Sequence, residues 1–256
     1  LIKNIQGYTL DSQELKQFNA IKFTNDKIDK VFSSIDTINE ETHWKIIDGK
    51  GATLLPGLID AHGHVLSYGE SLLQVDLVDS QTESKAVTRA VAFAKNNPKS
   101  VWIKGRGWNQ VQWPSKSFPT AASLDKYFPD KPVFLERVDG HAVWVNSKAM
   151  AIAQIDKSTK SPVGGEIIRD NEGHPTGIFI DNAMDLISKK IPELTIEQQK
   201  NILVKSMNSL ASLGLTSVHD AGIDNDNLQA FQELVNEDKM PIRINAMLYL
   251  PSENWQ

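Results

Sequence analysis

The chain has 256 residues, enough for one large core or two modest ones, and its 40% hydrophobic and 23% charged residues place it among ordinary globular proteins. A net charge of -5 without any Lys/Arg cluster argues against nucleic acid as a partner, and no apolar run reaches the roughly 20 residues of a bilayer-spanning helix. With no cysteine there is no disulfide and no thiolate ligand, so any metal must be held by imidazole and carboxylate.

The opening stretch LIKNIQGYTLDSQ lacks the basic start and apolar core of a secretory leader, so the expectation is a cytoplasmic protein, although a chain that opens on Leu1 leaves room for a leader already removed. Three β-type runs follow, NAIKFTND, KIDKVFSS and HWKIIDGKGATLL, with Asp48-Gly49 as a strong turn signal. They predict a small antiparallel sheet within residues 1–53. The next strand, 58–61, is too apolar to have a solvent face, and such strands belong in the buried centre of α/β proteins. Helical texture then covers SYGESLLQVDL and TESKAVTRAVAFAKNN, ended by Asn96-Asn97-Pro98.

VWIKGRGWN, 101–109, reads as a strand breaking into a loop that carries Trp108 and Trp113. A short helix between Pro119 and Pro129, the strand PVFLERV, the segment DGHAVWVNS and a helix from Ser147 come next. GEIIRDNEGHPTGIFI predicts a hairpin, and 182–213 reads as helical, with Thr195 and Gln198 in a capping box. GLTSVHDAG is another strand-to-loop transition, followed by a helix over 226–237 and a last strand, PIRINAMLYL, before the polar end SENWQ. The order of strand, polar residues at its carboxyl end and helix suggests an α/β fold of parallel strands with the site at those ends.

LLPGLIDAHGH, 54–64, carries the strongest chemical signal. A period of two sends His62 and His64 off the strand in one direction, as two ligands of one ion require, and Asp60 or a backbone carbonyl can orient a ring. A bare His-x-His is more often a chance surface feature, but the apolar strand before it favours metal. His219 and Asp220 end the GLTSV strand in the same way, and bind substrate or ligate if the strands are parallel neighbours, or merely cap a loop. Asp139, His141, Trp144 and Asn146 read as a substrate-lining loop, with a buried polar network as the alternative for Asn146. Trp108 and Asn109, with Trp113, face substrate or anchor their loop. Asp181 and Glu166 could bind a metal, though a solvated or capping role suits them better, and His43 and His174 read as exposed. No phosphate-cradling Gly-rich loop and no Gly-x-Ser-x-Gly elbow is present.

GATLLPGLIDAHGH followed by GLTSVHDAG resembles the metal-dependent amidohydrolase superfamily. The intervening GRGWNQ, LDKYFPDKPVFLERVDGHAVWVNSKAM and GGEIIRDNEGHPTGIFIDNA are similar to its YtcJ-like branch, which includes N-substituted formamide deformylases. The resemblance implies an α/β fold: a (β/α)8 TIM-type barrel with a small β-sandwich built partly from residues 1–53. Residues 54–256 would hold the barrel's first strands, with an insertion at about 66–212. It implies one or two divalent ions, zinc foremost, with His62 and His64 as first-strand ligands; Trp108, Asn109, Asp139, His141, His219 and Asp220 are the residues expected, from the reading above, to line the site for substrate. The implied reaction is hydrolysis of a carbon–nitrogen bond other than a peptide bond, in an amide or formamide-like small molecule, by metal-activated water.

The family's further ligands and its aspartate base are then expected beyond Gln256, so these residues read as the N-terminal part of a longer enzyme, incomplete by themselves. The alternative is a non-catalytic truncated or split module that binds a ligand or pairs with a separate C-terminal half. An open barrel edge would favour self-association, such as a homodimer, and neither nucleic acid nor membrane is expected as a partner.

Overall fold

The computed structural model describes residues 1–39 and 43–249, so the last residue of the final predicted strand and the predicted polar end SENWQ, with Gln256 as its final residue, lie outside the described residues. Strands β1 (Ile2–Asp11), β2 (Glu14–Thr24) and β3 (Lys27–Phe32) form an antiparallel meander. Its two-residue turns, Ser12-Gln13 and Asn25-Asp26, have positive φ at both positions, the twist that tight hairpins require. Short β4 (Ile47–Asp48) and β5 (Thr53–Leu54) pair with β1 in parallel. Ile5, Phe18 and Ile21 make a small core, and Phe18 lies so close over Gly7 that a Cβ there would sit 2.2 Å from its ring. A sheet is present over this region, but it is mixed and not antiparallel as predicted: the third predicted run joins it in parallel through β4 and β5, and β1 is a strand that the sequence pattern did not predict.

The chain then enters β6 (Leu58–Gly63) and α1 (Val65–Ser71). The helical texture expected through residue 77 stops at Ser71, because Val75 and Asp76 form β7 and pair with Gly105 and Arg106. After α2 (Glu83–Asn96) come β8 (Ile103–Trp108), α3 (Ala121–Asp125), β9 (Val133–Arg137), β10 (Ala142–Val145), α4 (Ser147–Ile152) and the hairpin of β11 (Gly165–Arg169) and β12 (Pro175–Asp181). These strands build a six-stranded sheet in the order β11-β12-β10-β9-β8-β7, parallel from β7 to β9 and antiparallel beyond.

Alternation decides which face each residue of this sheet packs on. Leu135, Ala142 and Trp144 join Ile103, Trp108, Trp113 and α2 on one side, while Phe134, Val143, Val145 and Phe179 pack with α4 and Ile187 on the other.

The chain returns through α5 (Asp185–Ser188), α6 (Ile196–Ser212), β13 (Leu215–Ile223), α7 (Asn225–Asn236) and β14 (Arg243–Leu248). Here β6, β13 and β14 form a parallel three-stranded sheet with β13 in the middle. Thr195 and Gln198 close the predicted capping box of α6. That helix lies against α1 where Gly69 meets Ile202: a Cβ on Gly69 would come within 2.8 Å of the Ile202 carbonyl. Ser206 donates to the Val65 carbonyl at 2.7 Å, and Tyr68 and Ser209 share a hydrogen bond of 2.9 Å. Val65, Leu203, Met207, Val218, Phe231 and Leu234 are the core between these helices and the sheet.

One expectation fails. Leu58 and Ile59 are 58% and 60% exposed although they are adjacent and point to opposite faces, so β6 is not buried on either side at this point. Its apolar texture fits a strand meant for cover, but β6 is the edge of its sheet and only β13 flanks it. The class is α/β. Among the described residues no helix is long and apolar enough to cross a membrane.

Candidate functional site

Parallel pairing of β6 with β13 places Val218 beside Asp60 and Asp220 beside Gly63. The carboxyl ends of both strands therefore meet, and His62, His64 and His219 gather at one end of the three-stranded sheet. The His62 and His64 rings lie edge to face with centroids 5.5 Å apart, both exposed. Asp60 accepts the His62 backbone N–H at 3.0 Å, so this carboxylate fixes the strand's last turn rather than an imidazole.

His219 is half-buried and stands opposite Asn245 of β14, whose amide nitrogen is 3.4 Å from His219 Nδ1. Sequence reasoning passed over Asn245; the register that a parallel neighbour imposes on PIRINAMLYL is the signal that finds it. Asp220 points the other way and is 2% exposed. Burial pushes its carboxyl above the usual range, opposed by a hydrogen bond from the Val65 amide and by the nearby His64. Its partners are thus the start of α1 and the second histidine, not His219, and Oδ2 has no hydrogen-bond partner among the described residues.

The remaining predicted residues belong to the six-stranded sheet. Trp108 is fully buried, its indole N–H donates to the Leu135 carbonyl at 2.7 Å, and it packs with Trp113, Trp144 and Phe118. It is an anchor inside the sheet rather than a residue lining an open surface, because a strand ending in Gly107-Trp108 turns the ring inward against α2's face. Asn109 is half-buried and caps the short turn at 110–112 by accepting the Val111 N–H. Asn146 is a fully buried four-bond clasp: its oxygen accepts from Val133 and Ala149, and its amide donates to Phe128 and Lys131.

Asp139 and His141 are exposed at the other side of that strand pair. The Arg137 guanidinium, 2.8 Å away, holds the Asp139 carboxyl below its ordinary range against a burial effect, and the His141 amide adds to the lowering. His141 Nδ1 is 2.8 Å from Asp181 Oδ1, a pairing across 40 residues that no local pattern announces. Glu166 is exposed beside it on β11.

A divalent ion of the zinc type takes imidazole nitrogens at about 2.0–2.1 Å, and catalytic sites use three protein ligands. His62 and His64 offer imidazole nitrogens, the donor chemistry of two of those positions, from rings whose centroids are 5.5 Å apart. Among the described residues no group of three or more His, Asp or Glu side chains could hold an ion, so the rest of a ligand set is not supplied here. The aspartate base expected beyond Gln256 falls outside the described residues; of the carboxylates next to the histidines, Asp60 is bonded to the backbone of its own strand and Asp220 is buried near His64.

The fold is α/β, and His62 and His64 follow one another at the carboxyl end of β6, which runs parallel to β13. The chain belongs to the amidohydrolase family (Amidohydro_3), whose model matches residues 45–256. Within it the chain falls in the YtcJ-like branch. It is 32% identical over 204 residues to YtcJ of Bacillus subtilis (strain 168), covering 78% of this chain and 39% of that protein. It is 29% identical over 212 residues to an N-substituted formamide deformylase of Arthrobacter pascens, covering 79% and 39%. An uncharacterized metal-dependent hydrolase from Pyrococcus horikoshii OT3 has a similar crystal structure, with a TM-score of 0.73 and 26% identity over 96% of this chain and 48% of that one. The chain thus spans less than half the length of the proteins it matches.

Proposed function

We propose that the complete protein is a metal-dependent hydrolase of carbon–nitrogen bonds other than peptide bonds, acting on a small amide or formamide-like molecule. The observation that carries this reading is the pair His62 and His64 leaving the end of β6 together, with His219 on the parallel neighbour. Family membership and the formamide deformylase of Arthrobacter pascens support it. In this reading β6, β13 and β14 are the first three strands of a (β/α)8 barrel, the five-stranded sheet is part of a β-sandwich, and the six-stranded sheet is an insertion.

His62 and His64 would hold the ion, with zinc the expected metal and one or two ions in the complete site. A bound ion supplies a water acidified toward neutrality and a polarised carbonyl. His219, steadied by Asn245, offers a hydrogen bond at the site's edge, and Asp220 ties β13 to the start of α1 beneath His64.

The test is made on the complete gene product, by elemental analysis and by turnover of an N-alkylformamide. His62→Ala and His64→Ala should each remove bound metal and lower kcat/KM about a thousandfold or more, since a Lewis-acid contribution of several kcal/mol converts at about 1.4 kcal/mol per tenfold. Intact metal content and turnover in both variants would overturn the assignment. The 256 residues by themselves should bind metal weakly and turn over nothing; tight stoichiometric metal would contradict the two-ligand reading.

A further inference from the structure

We propose that Asp220 is the positioning residue of His64: its unpaired carboxylate oxygen takes the ring N–H that His64 turns away from the ion, and so fixes which nitrogen the ion meets. The inference rests on the reading of His64 as a metal ligand given above; the unpaired oxygen itself rests on geometry.

Strand register brings the two together. Asp220 lies opposite Gly63 across the parallel β6–β13 pair, beside the one residue that separates His62 from His64. The strands approach closely there, because a Cβ on Gly63 would sit 2.8 Å from Val218 Cγ1. The Val65 amide, next along the chain from His64, donates to the Asp220 carboxylate, and His64 is the side chain whose charge bears on it. The main chain around His64 is held: its carbonyl accepts the Tyr68 N–H at 2.9 Å, and the Val65 carbonyl accepts the Ser206 hydroxyl at 2.7 Å. The ring is not held. It makes no capping hydrogen bond to α1 and touches only the His62 ring, edge to face.

The second observation is the unpaired oxygen. Asp220 is 2% exposed, and its Oδ2 is buried without a hydrogen-bond partner among the described residues. Such an oxygen is costly to leave unpaired. Asp60, the other carboxylate beside the pair, is exposed and has water at hand; Asp220 has none. Tying β13 to α1 does not account for the charge, since an asparagine would accept the Val65 N–H through its own oxygen and bring no charge inside. What the carboxylate alone adds is a second acceptor. A metal-ligating imidazole almost always donates its other ring N–H to a carboxylate, a carbonyl or water, and the imidazole that bears on Asp220 is that of His64.

Two measurements on the complete gene product test this. Asp220→Asn keeps the shape of the side chain and its acceptor for Val65, and should weaken zinc, measured by competition with a chelator, about tenfold to a hundredfold. The Tm of the metal-free variant should be unchanged or raised, because a buried charge has been removed. In the cobalt(II)-substituted protein the exchangeable N–H protons of ligating imidazoles stand apart from the rest of the proton NMR spectrum; one of them should move or vanish in Asp220→Asn while the others stay. Zinc affinity within about twofold of the parent would overturn the proposal, the loss expected of an outer-shell partner being larger. An unchanged set of N–H signals would overturn it as well, because a charge acting only from a distance weakens zinc and leaves those protons alone. If the unaltered protein binds no zinc, the metal reading of His62 and His64 falls and this inference with it; equally tight zinc in parent and variant overturns the positioning role alone.

Discussion

The six-stranded sheet is packed on both faces, and the three-stranded parallel sheet is packed on one. In β9 and β10, Val133–Leu135 and Ala142–Val145 are all buried, whereas in β6 both Leu58 and Ile59 are open to solvent and in β14 Met247 and Leu248 are 39% and 47% exposed. The residues that carry chemistry in the proposed function sit on the less covered sheet. The difference teaches that the sheet covered on both faces and the sheet that carries the candidate histidine pair are distinct.

The largest expected effect exploits that split. Trp108→Ala removes a fully buried ring in contact with two other tryptophans and should cost about 3–5 kcal/mol, as large aromatic deletions in cores do. Ile59→Ala, on the exposed strand, should change the stability of this chain by no more than about 0.5 kcal/mol. Urea unfolding followed by tryptophan fluorescence and by circular dichroism reads both; similar losses in the two variants would erase the contrast.

Next in size is Asn146→Ala. It leaves the Val133 and Ala149 N–H groups and the Phe128 and Lys131 carbonyls without their partner in a site with no exposure, and a loss of about 2–3 kcal/mol is expected. An effect below about 0.5 kcal/mol would mean that water enters the site freely and that the sheet is less closed than its packing indicates.

Much of this division is legible in the sequence, and what is not has physical causes. The hairpin over 165–181 announces itself through Gly173 and the polar turn before it, and α6 through its capping box, because both signals are local. β1 escapes because its register shifts between Lys3 and Gly7, with Asn4 at φ 58°, so the strand's alternation breaks midway. β7 escapes because two residues carry no period. At the candidate site the single-strand pair His62 and His64 can be read directly, while His141–Asp181 and His219–Asn245 cannot, since each joins residues brought together only by strand register. The apolar run of β6 misleads for a related reason: texture reports what a strand is suited to meet, and not what covers it.

The smallest effect concerns how the helical side of the three-stranded sheet is fastened. Lys200 on α6, with a side chain only 10% exposed, reaches Glu233 on α7 at 3.1 Å, Glu237 just past the end of α7, and Glu197 on its own helix at 3.4 Å. Glu237 above all, then Glu233, raises the lysine's pKa. Gln229 and Lys200 lower that of Glu233, and Lys200 and Lys239 that of Glu237. A raised lysine contributes fully below its unfolded value, about pH 10, and loses that contribution as pH rises toward the folded one. The lowered glutamates contribute above about pH 4 and lose it on further acidification. Acid loss has other sources, because Asp11, Asp29, Asp48, Asp139, Asp156 and Asp170 are also lowered. The alkaline limb is therefore the discriminating one. Lys200→Met should flatten the fall of Tm above pH 10 while leaving the acid limb largely in place, and added salt should reduce the difference between variant and parent, because the glutamates are solvent-facing. An unchanged alkaline slope in the variant would show that α6 and α7 are held by the Leu203, Phe231 and Leu234 packing and not by charge.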